Sequence, residues 1–467
     1  MVDDPVKPRS GRRLRRVLAV LGVLLVVAGT FVTVAILPTA TGYVARLACS
    51  GVFVAGHPVQ RLRDEEFSRM GYVSFTVDDE AKRVRATVLG LAGRTAVFRE
   101  GIGCVLAVDA DPETLAAGGL SVPRAPASDA PWPAGDGPDD RPDPPGLDRA
   151  ALEAAIDRVF EEPDPSSMRW TRAVAVVYDG RLVAERYAPW THADAPQLGW
   201  SMTKSMTNAM VGGLVLRGLL DRDAPAPVPA WTDDRRDVTL DMLLRMSSGL
   251  EFEERYGPLA DATHMLFEVD DAAGEARDKP LAHPVDTVFS YSSGTTNVLQ
   301  WIVRQQFDDD ADYYRYPYEA FFEPMGMRTA TLETDASGTF VGSSFMYASA
   351  RDWARFGQLY LQDGVWNGQR LLPEGWAAYS GTASKTAPKG EYGAQFWTNA
   401  GAPGDPSTRP DPDVPPDAFK ASGYQGQVVY VVPSRKAVIV RLGMTHDRPA
   451  WDVNAFAASV LAALPGA

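Results

Sequence analysis

An uncharged apolar run near the N-terminus limits what this chain can fold into. It extends for 21 residues from Val17 to Leu37 and ends at Pro38. As a helix the run measures about 31 Å, enough to cross the hydrocarbon core of a membrane. Six basic residues precede it: Lys7, Arg9, Arg12, Arg13, Arg15 and Arg16. Because basic flanks stay in the cytoplasm, we expect a cytoplasmic tail over 1–16, a single transmembrane helix over 17–37 and an exported remainder on the periplasmic or extracellular side.

Three interpretations of this run differ in where the mature chain resides. A helix buried in a soluble core is disfavoured, because a basic flank followed by so apolar a run is typical of membrane insertion. A cleavable signal peptide usually has a shorter apolar region, and Pro38-Thr39-Ala40 is a poor cleavage site. We therefore expect an uncleaved anchor in the cell membrane, with cleavage as the open alternative.

The chain has two cysteines, Cys49 and Cys104, and both follow the apolar run. In an oxidising compartment they can form a disulfide, which would constrain the unfolded chain by roughly 4 kcal/mol. Two unpaired buried thiols are the alternative. Export of this part of the chain favours the disulfide.

Charge and motif content exclude several classes of function. The formal net charge is -14, whereas a nucleic-acid-binding protein usually presents a clustered basic surface. Five scattered histidines and two cysteines cannot build a cysteine-rich zinc module. The metalloprotease HExxH, the phosphate-binding GxxxxGKS/T and the dinucleotide-binding GxGxxG patterns do not occur. We predict no metal, no cofactor and no nucleic-acid partner.

Composition and periodicity divide the exported part into three segments. Residues 38–122 form a small segment with strand-like alternation at 73–77 and 83–88. Residues 123–146 are rich in Pro, Asp, Ala and Gly, as is typical of an extended linker. Residues 147–467 have strand patterns near both ends and helical patterns between them. This order predicts an α+β domain, with an antiparallel sheet flanked by helices and an all-helical lobe.

The most informative stretch is Gly199-Trp200-Ser201-Met202-Thr203-Lys204, which precedes a helical pattern that stops near Gly218. Ser201 thus lies at a helix start, where free backbone N–H groups favour negative charge on an attacking oxygen. Lys204 is one turn further on the same face and can accept the Ser201 proton if burial lowers its pKa. A serine helix cap followed by a surface lysine is the alternative.

Two later stretches carry groups that suit the same chemistry. Tyr291 and Ser293 are two positions apart before a helical pattern, so both can face one cleft. A tyrosine beside a lysine ammonium can favour the phenolate and transfer protons, and Ser293 can hydrogen-bond Lys204. Gly423 and Gly426 precede a strand whose edge can supply an oxyanion-hole N–H. Taken alone, Tyr291-x-Ser293 is a weak signal, because a turn with a helix cap has the same pattern, and the glycine-rich stretch is more typical of a bend before a strand.

In this order, Ser201-x-x-Lys204, Tyr291-x-Ser293 and Gly423-Tyr424-Gln425-Gly426 resemble the motifs of the penicillin-recognising serine hydrolases. The spacing is similar to that of the class C β-lactamase branch, and the flanks are most similar to its 6-aminohexanoate-dimer hydrolase and carboxylesterase subgroup. The resemblance covers roughly residues 170–445. It implies that the α+β domain has the β-lactamase/transpeptidase-like fold.

The resemblance also implies a role for each matching residue. Ser201 would be the acylated nucleophile, and Lys204 and Tyr291 would form the proton-transfer pair. Ser293 would support Lys204. The backbone N–H groups of Ser201 and Tyr424 would form the oxyanion hole.

Three further residues would line the substrate pocket: Gly423, Trp397 and Tyr256, the last as a mobile lid residue. The chain departs from the family where the third motif normally begins with a lysine that holds a substrate carboxylate. The matching stretch here is Ala421-Ser422-Gly423, and Ser293 stands where β-lactamases usually carry Asn. Both departures argue against efficient β-lactam hydrolysis.

These inferences predict a membrane-anchored, exported serine hydrolase that cleaves amide or ester bonds in small molecules or short peptides. One alternative is a catalytically silent relative that binds cell-wall or peptide ligands. Another is a true class C β-lactamase. The presence of serine, lysine and tyrosine together counts against the silent relative, since a binding protein has no need of all three.

Overall fold

The N-terminal helix of the computed structural model, which describes residues 10–466, has two environments along its length. Helix α1 (Ser10–Phe31) continues through a π-helical turn (Val32–Ile36) into α2 (Leu37–Phe53). Apolar side chains are exposed along the first part, and the helix becomes buried from Pro38 onward. Within Arg15–Phe53 it is long and apolar enough to span a membrane. The exposed stretch therefore ends where the predicted span ends, whereas residues 1–9 of the predicted tail lie outside the described range.

A small sheet packs along α2. It is an antiparallel meander in the order β1-β2-β3-β4, and Cys104 on β4 is disulfide-bonded to Cys49 on α2. The elements are α3 (Val59–Arg61), β1 (Ser74–Asp78), β2 (Arg83–Val88), β3 (Leu91–Arg99), β4 (Gly103–Ala107) and α4 (Pro112–Ala116).

The second part of the chain is built on a six-stranded antiparallel sheet in the order β12-β13-β14-β15-β5-β6. Its strands are β5 (Thr171–Tyr178), β6 (Arg181–Tyr187), β12 (Trp397–Thr398), β13 (Phe419–Gly423), β14 (Gln427–Val432) and β15 (Ala437–Gly443). Shorter strands are β7 (Gln197–Leu198), β8 (Thr331–Leu332) and β9 (Met346–Ala348), which pair as β7-β9-β8, and the hairpin β10 (Val365–Trp366) and β11 (Gln369–Arg370). The sheet thus joins strands from both ends of this part, as predicted.

Some helices of this part cover the two faces of the large sheet, and others pack mainly on one another. They are α5 (Arg149–Phe160), α6 (Thr203–Leu216), α7 (Leu240–Leu244), α8 (Asp261–Phe267), α9 (Ala272–Arg277), α10 (Ser293–Arg304), α11 (Asp310–Pro317), α12 (Glu323–Met325), α13 (Ala350–Leu361), α14 (Trp376–Gly381) and α15 (Val453–Ala463). Side chains alternate along β14: Val428 and Tyr430 face a core with α5 and α15, while Val429 and Val431 face the larger core with α13. The predicted α+β class is confirmed.

The N-terminal segment and the larger domain share one hydrophobic core. Arg46 of α2 is buried and lies 3.2 Å from the Glu333 carboxylate, which also accepts hydrogen bonds from Ser50 Oγ at 2.8 Å and from the Cys104 backbone N–H at 2.7 Å. The segment boundaries stay predictions, but the structure attaches 38–122 to the domain through a buried ion pair as well as apolar packing.

The stretch predicted as an extended linker, 123–146, lies against the domain. Trp132 is buried, and the Asp136 carboxylate accepts hydrogen bonds from Arg355 at 2.7 Å and from Arg328. The abundance of Pro and Gly indicated the absence of regular structure. It did not indicate packing, which depends on one tryptophan and one carboxylate.

The buried Arg46–Glu333 pair generates a stability prediction. Substitution Glu333→Gln leaves the Arg46 guanidinium buried without a counter-charge, and we expect a loss of about 3–5 kcal/mol in the free energy of unfolding. Denaturant unfolding of the full chain in detergent measures it. The control is Asp179→Asn, which removes the exposed pair with Lys436 and should cost less than about 1 kcal/mol. Equal losses in the free energy of unfolding would show that the buried pair contributes no more to stability than the exposed one.

Candidate active site

The turn that carries Ser201 is held in a strained conformation. Strand β7 ends at Leu198, and a 3₁₀ turn over Trp200–Met202 leads into α6. Trp200 has a φ of 48° and Gln425 a φ of 63°, a region that side chains other than glycine rarely adopt. The Trp200 indole N–H donates to the Gln425 side-chain oxygen at 3.1 Å, so the two strained residues support each other. Ser201 is half-buried at a helix start, where the sequence places it.

Lys204 is buried one turn into the same helix. Its ammonium donates to Ser201 Oγ at 3.1 Å, to Ser293 Oγ at 2.9 Å and to the Ser343 carbonyl oxygen at 3.0 Å. All three N–H groups of an ammonium therefore find acceptors. Burial lowers the pKa of Lys204 to about 8, although the nearby Glu254 carboxylate opposes the shift. The amine is thus near the serine hydroxyl and is neutral in a substantial fraction of molecules near pH 8.

Tyr291 lies over the same amine. The Lys204 nitrogen is 4.9 Å from the centre of the Tyr291 ring, and the Ser201 hydroxyl is close enough to act on the Tyr291 pKa, which it lowers slightly. Burial raises the pKa of Tyr291 well above its ordinary value. The expectation that Lys204 favours the phenolate therefore does not describe the resting site, because loss of solvation outweighs the attraction of a partly neutral amine. Tyr291 is therefore a neutral phenol in the resting site.

Glu254 is a member of the site that sequence reasoning missed. One carboxylate oxygen accepts from Ser293 Oγ at 2.6 Å and from the Tyr256 hydroxyl at 2.8 Å, and the other accepts from the Ser293 backbone N–H at 2.7 Å. Glutamates stand at 251, 253 and 254, so the sequence alone does not indicate which one turns inward. The Ser343 carbonyl was also missed, since a backbone acceptor has no sequence signal.

The strand carrying Gly423 runs against the nucleophile turn. A Cβ at Gly423 would collide with the carbonyl oxygen of Gly199, so only glycine permits this approach. The aromatic ring of Tyr424 lies edge-on to Trp200, with 5.6 Å between ring centres. These contacts bring the Tyr424 backbone near Ser201, and the proposed oxyanion hole from the two N–H groups stays a prediction.

The predicted pocket residues surround this position. Trp397 stacks on Tyr291, with 5.2 Å between ring centres, and Tyr256 stacks on Tyr424 at 6.0 Å. Tyr256 is 49% exposed, as suits a lid residue, and its hydroxyl donates to the Glu254 carboxylate. Gly423, Tyr424 and Trp397 also line an open cleft beside β13.

Neither of two nearby lysines takes the position of the missing cation. Lys420 precedes Ala421, but its side chain turns to the Asp411 carboxylate and to the Tyr430 hydroxyl at 3.1 Å. Lys385 is an exposed loop residue paired with Asp286 at 2.5 Å. The absence of a lysine at the start of the third motif is therefore not compensated by either side chain.

Comparison with known proteins identifies relatives of this chain. The model of the family described as Beta-lactamase matches residues 156–462. The chain is 26% identical to the 6-aminohexanoate-dimer hydrolase of Paenarthrobacter ureafaciens over 313 residues, covering 59% of this chain and 73% of that protein. These matches confirm the resemblance found in the motifs.

Solved structures share the fold. A putative 6-aminohexanoate-dimer hydrolase from Bacillus anthracis is 24% identical, with 67% of this chain and 80% of that chain covered and a TM-score of 0.52. A family VIII carboxylesterase is 15% identical, with 68% of this chain and 97% of that chain covered and a TM-score of 0.52. At these identities the structural matches bear on the fold alone, and they confirm the predicted β-lactamase-like architecture.

The position of Glu254 generates a pH prediction. We expect labelling of Ser201 by a fluorophosphonate to need neutral Lys204, so the labelling rate should rise with pH through a midpoint near 8. Because the Glu254 charge raises the pKa of Lys204, Glu254→Gln should move the midpoint to lower pH, by roughly one unit. Glu253→Gln is the matched control, since Glu253 pairs with Arg255 at the surface. A midpoint that stays in place or rises in Glu254→Gln would rule out this electrostatic role.

Proposed function

The chain belongs to the beta-lactamase family of hydrolases, and we propose that it cleaves amide or ester bonds through an acyl-enzyme on Ser201. One observation carries the proposal: the buried amine of Lys204, with its lowered pKa, lies 3.1 Å from the Ser201 hydroxyl. A serine becomes a nucleophile when an adjacent base can take its proton. A surface lysine beside a helix cap, the alternative interpretation of this motif, would be exposed and fully charged.

The proposed acylation step uses only side chains and backbone N–H groups of this site. Neutral Lys204 accepts the Ser201 proton as the serine oxygen attacks the substrate carbonyl. The Tyr291 phenol gives its proton to the leaving amine or alcohol, and the Lys204 ammonium restores the proton to Tyr291. The N–H groups of Ser201 and Tyr424 stabilise the oxyanion. Water then hydrolyses the acyl-enzyme by the reverse proton transfers, which return Ser201 to its starting state.

The hydrogen bonds of Ser293 support the proposal that it positions Lys204. Its hydroxyl accepts from Lys204 and donates to Glu254, and its backbone N–H is fixed by the same carboxylate. Ser293 therefore links the amine to a charged group without bringing the two charges into direct contact. This arrangement preserves the lowered pKa that the base requires.

Two features of the site support a substrate without an anchored carboxylate. The family lysine is missing at position 421, and Glu254 places a negative charge beside Ser293. Both features disfavour β-lactams, whose carboxylate needs a cation. The name of the Paenarthrobacter relative makes linear ω-amino amides the first amides to test here. Short esters are the second class, by analogy with the carboxylesterase neighbour.

Two alternative functions make different predictions. A catalytically silent relative that binds cell-wall or peptide ligands would form no covalent adduct on Ser201. A true class C β-lactamase would hydrolyse cephalosporins rapidly despite the missing cation. The hydrogen bond between Lys204 and Ser201 favours the hydrolase over the silent relative.

The N-terminal helix supports a membrane location for this activity. Its exposed apolar stretch suits lipid contact, and the basic residues before it suit the cytoplasmic side. We place the catalytic domain on the exported side of the cell membrane, held by a single pass. The Cys49–Cys104 disulfide suits an oxidising compartment.

Covalent labelling tests the mechanism. A fluorophosphonate probe should label the full chain, and Ser201→Ala should abolish labelling, while Ser166→Ala in an exposed loop should not. Lys204→Arg should slow labelling by roughly 10²-fold or more, because a guanidinium keeps the charge but does not accept a proton. Mass spectrometry locates the adduct. An unlabelled but folded wild type would favour the silent relative.

A substrate panel tests specificity. We expect measurable turnover of p-nitrophenyl esters and little turnover of the cephalosporin nitrocefin by the full chain in detergent, because Ala421 replaces the lysine that holds the substrate carboxylate in the third family motif. Linear ω-amino amides and D-amino-acid peptides complete the panel. Ser201→Ala gives the background rate for each compound. Rapid nitrocefin hydrolysis that depends on Ser201 would overturn the argument from the missing lysine.

A further inference from the structure

The small N-terminal sheet lies along α2, and its β1–β2 and β2–β3 hairpin turns lie at opposite ends of the strands. Near the start of α2, Thr41 Oγ1 donates to the Ala92 carbonyl at 2.6 Å, and β3 also contacts the π-helical turn over Val32–Ile36. Near the end of α2, the ammonium of Lys82 lies 5.2 Å from the centre of the Phe53 ring. The β2–β3 turn is therefore level with the end of the exposed apolar helix. The β1–β2 turn lies roughly 20 Å away, the length of a six-residue strand.

The two turns differ in polarity as contact with a membrane would require: the turn beside the exposed helix is apolar and the distant turn is acidic. The turn beside the exposed helix carries Leu89, which is 94% exposed, and Leu91, which is 53% exposed. The distant turn carries three exposed acidic residues: Asp78, Asp79 and Glu80. Leu89 also has a φ of 50°, a conformation that leucine rarely adopts. Leucine at so exposed a turn adds nothing to packing within the described chain.

We propose that the hairpin tip over Val88–Leu91 inserts into the surface of the membrane that α1 crosses. The occupant is the lipid bilayer, because the tip continues the exposed apolar surface of the helix and contacts the helix where that surface ends. Arg85, exposed on β2 just behind the tip, suits phosphate headgroups. The proposal rests on the membrane anchoring proposed above.

Two contacts with the bilayer fix the orientation of the catalytic domain, which one helix alone would leave free to tilt. The Tyr43 ring on α2 stacks on Trp200, with 6.3 Å between ring centres. Tyr43 is six residues beyond Leu37, or about 9 Å along the helix. The nucleophile turn therefore lies in the layer of the protein nearest the membrane, where it can meet substrates held at the lipid surface.

Environment-sensitive labels on the full chain test this proposal. The two native cysteines are disulfide-bonded and buried, so a cysteine introduced at one exposed site can be labelled selectively. Three single variants carry an NBD fluorophore: Leu25→Cys in the exposed helix, Leu89→Cys at the tip and Glu80→Cys at the distant turn. Each is reconstituted into vesicles of phosphatidylcholine and phosphatidylglycerol with and without nitroxide-labelled lipid.

The expected result is strong quenching and a blue-shifted emission at positions 25 and 89, with a water-like emission at position 80. Quenching at 25 but not at 89 overturns the hairpin contact and leaves the anchor intact. No quenching at either position overturns the anchor and the hairpin contact together. Equal quenching at 80 and 89 also overturns the proposal, because the sheet would then lie flat on the lipid rather than insert its tip.

The fluorescence of a label can be interpreted only if the variant is folded, so each variant needs a folding check. Glu80 and Leu89 are both exposed, so neither substitution removes packing. Fluorophosphonate labelling of Ser201 in the same vesicles reports on the folded site independently of the membrane contact. A variant that labels at Ser201 like the wild type gives an interpretable quenching result, and Leu91→Cys provides a second position at the tip.

Discussion

The buried amine of Lys204 is the interaction on which the site depends. Its three hydrogen-bond acceptors are neutral oxygens, two from serine hydroxyls and one from a backbone carbonyl. No carboxylate of residues 10–466 contacts the amine directly, so burial dominates and the pKa of Lys204 falls to about 8. Direct contact with Glu254 would hold the amine charged, and Ser293 lies between the two groups instead. The basicity of Lys204 thus depends on neutral oxygens, rather than the Glu254 carboxylate, accepting the hydrogen bonds of its amine.

The fold maintains this arrangement by joining distant segments around one strained turn. Trp200 is held by a hydrogen bond to Gln425, by Tyr424 at its edge and by Tyr43 of the N-terminal helix on its face. Backbone strain of this kind costs of order 1–3 kcal/mol per residue and persists only where the surroundings impose it. The segment between the apolar run and the catalytic domain is therefore part of the support of the site, through α2.

Residues that belong to side-chain motifs could be predicted from the sequence. Backbone acceptors and contacts between distant segments could not, because they have no sequence signature. The Ser201–Lys204 spacing gave a shared helical face, and the strands at 428–432 and 437–442 were readable from β-branched residues. The inward orientation of Glu254 was not predictable, because Glu251 and Glu253 stand close to it in the sequence. The Ser343 carbonyl has no residue signature, and the neutral state of Tyr291 depends on burial. The docking of 38–146 depends on a few contacts, Arg46 with Glu333 and Trp132 among them, that composition does not reveal.

The central claim is that Lys204 can be neutral near physiological pH, and its titration is directly measurable. The chain has eight lysines, so the detergent-solubilised protein grown with ¹³Cε-labelled lysine should give few enough NMR signals to follow individually, with Lys204→Arg providing the assignment. The account predicts that the Lys204 signal titrates near pH 8. A titration at about 10.4, the ordinary value for a solvated lysine, would contradict it.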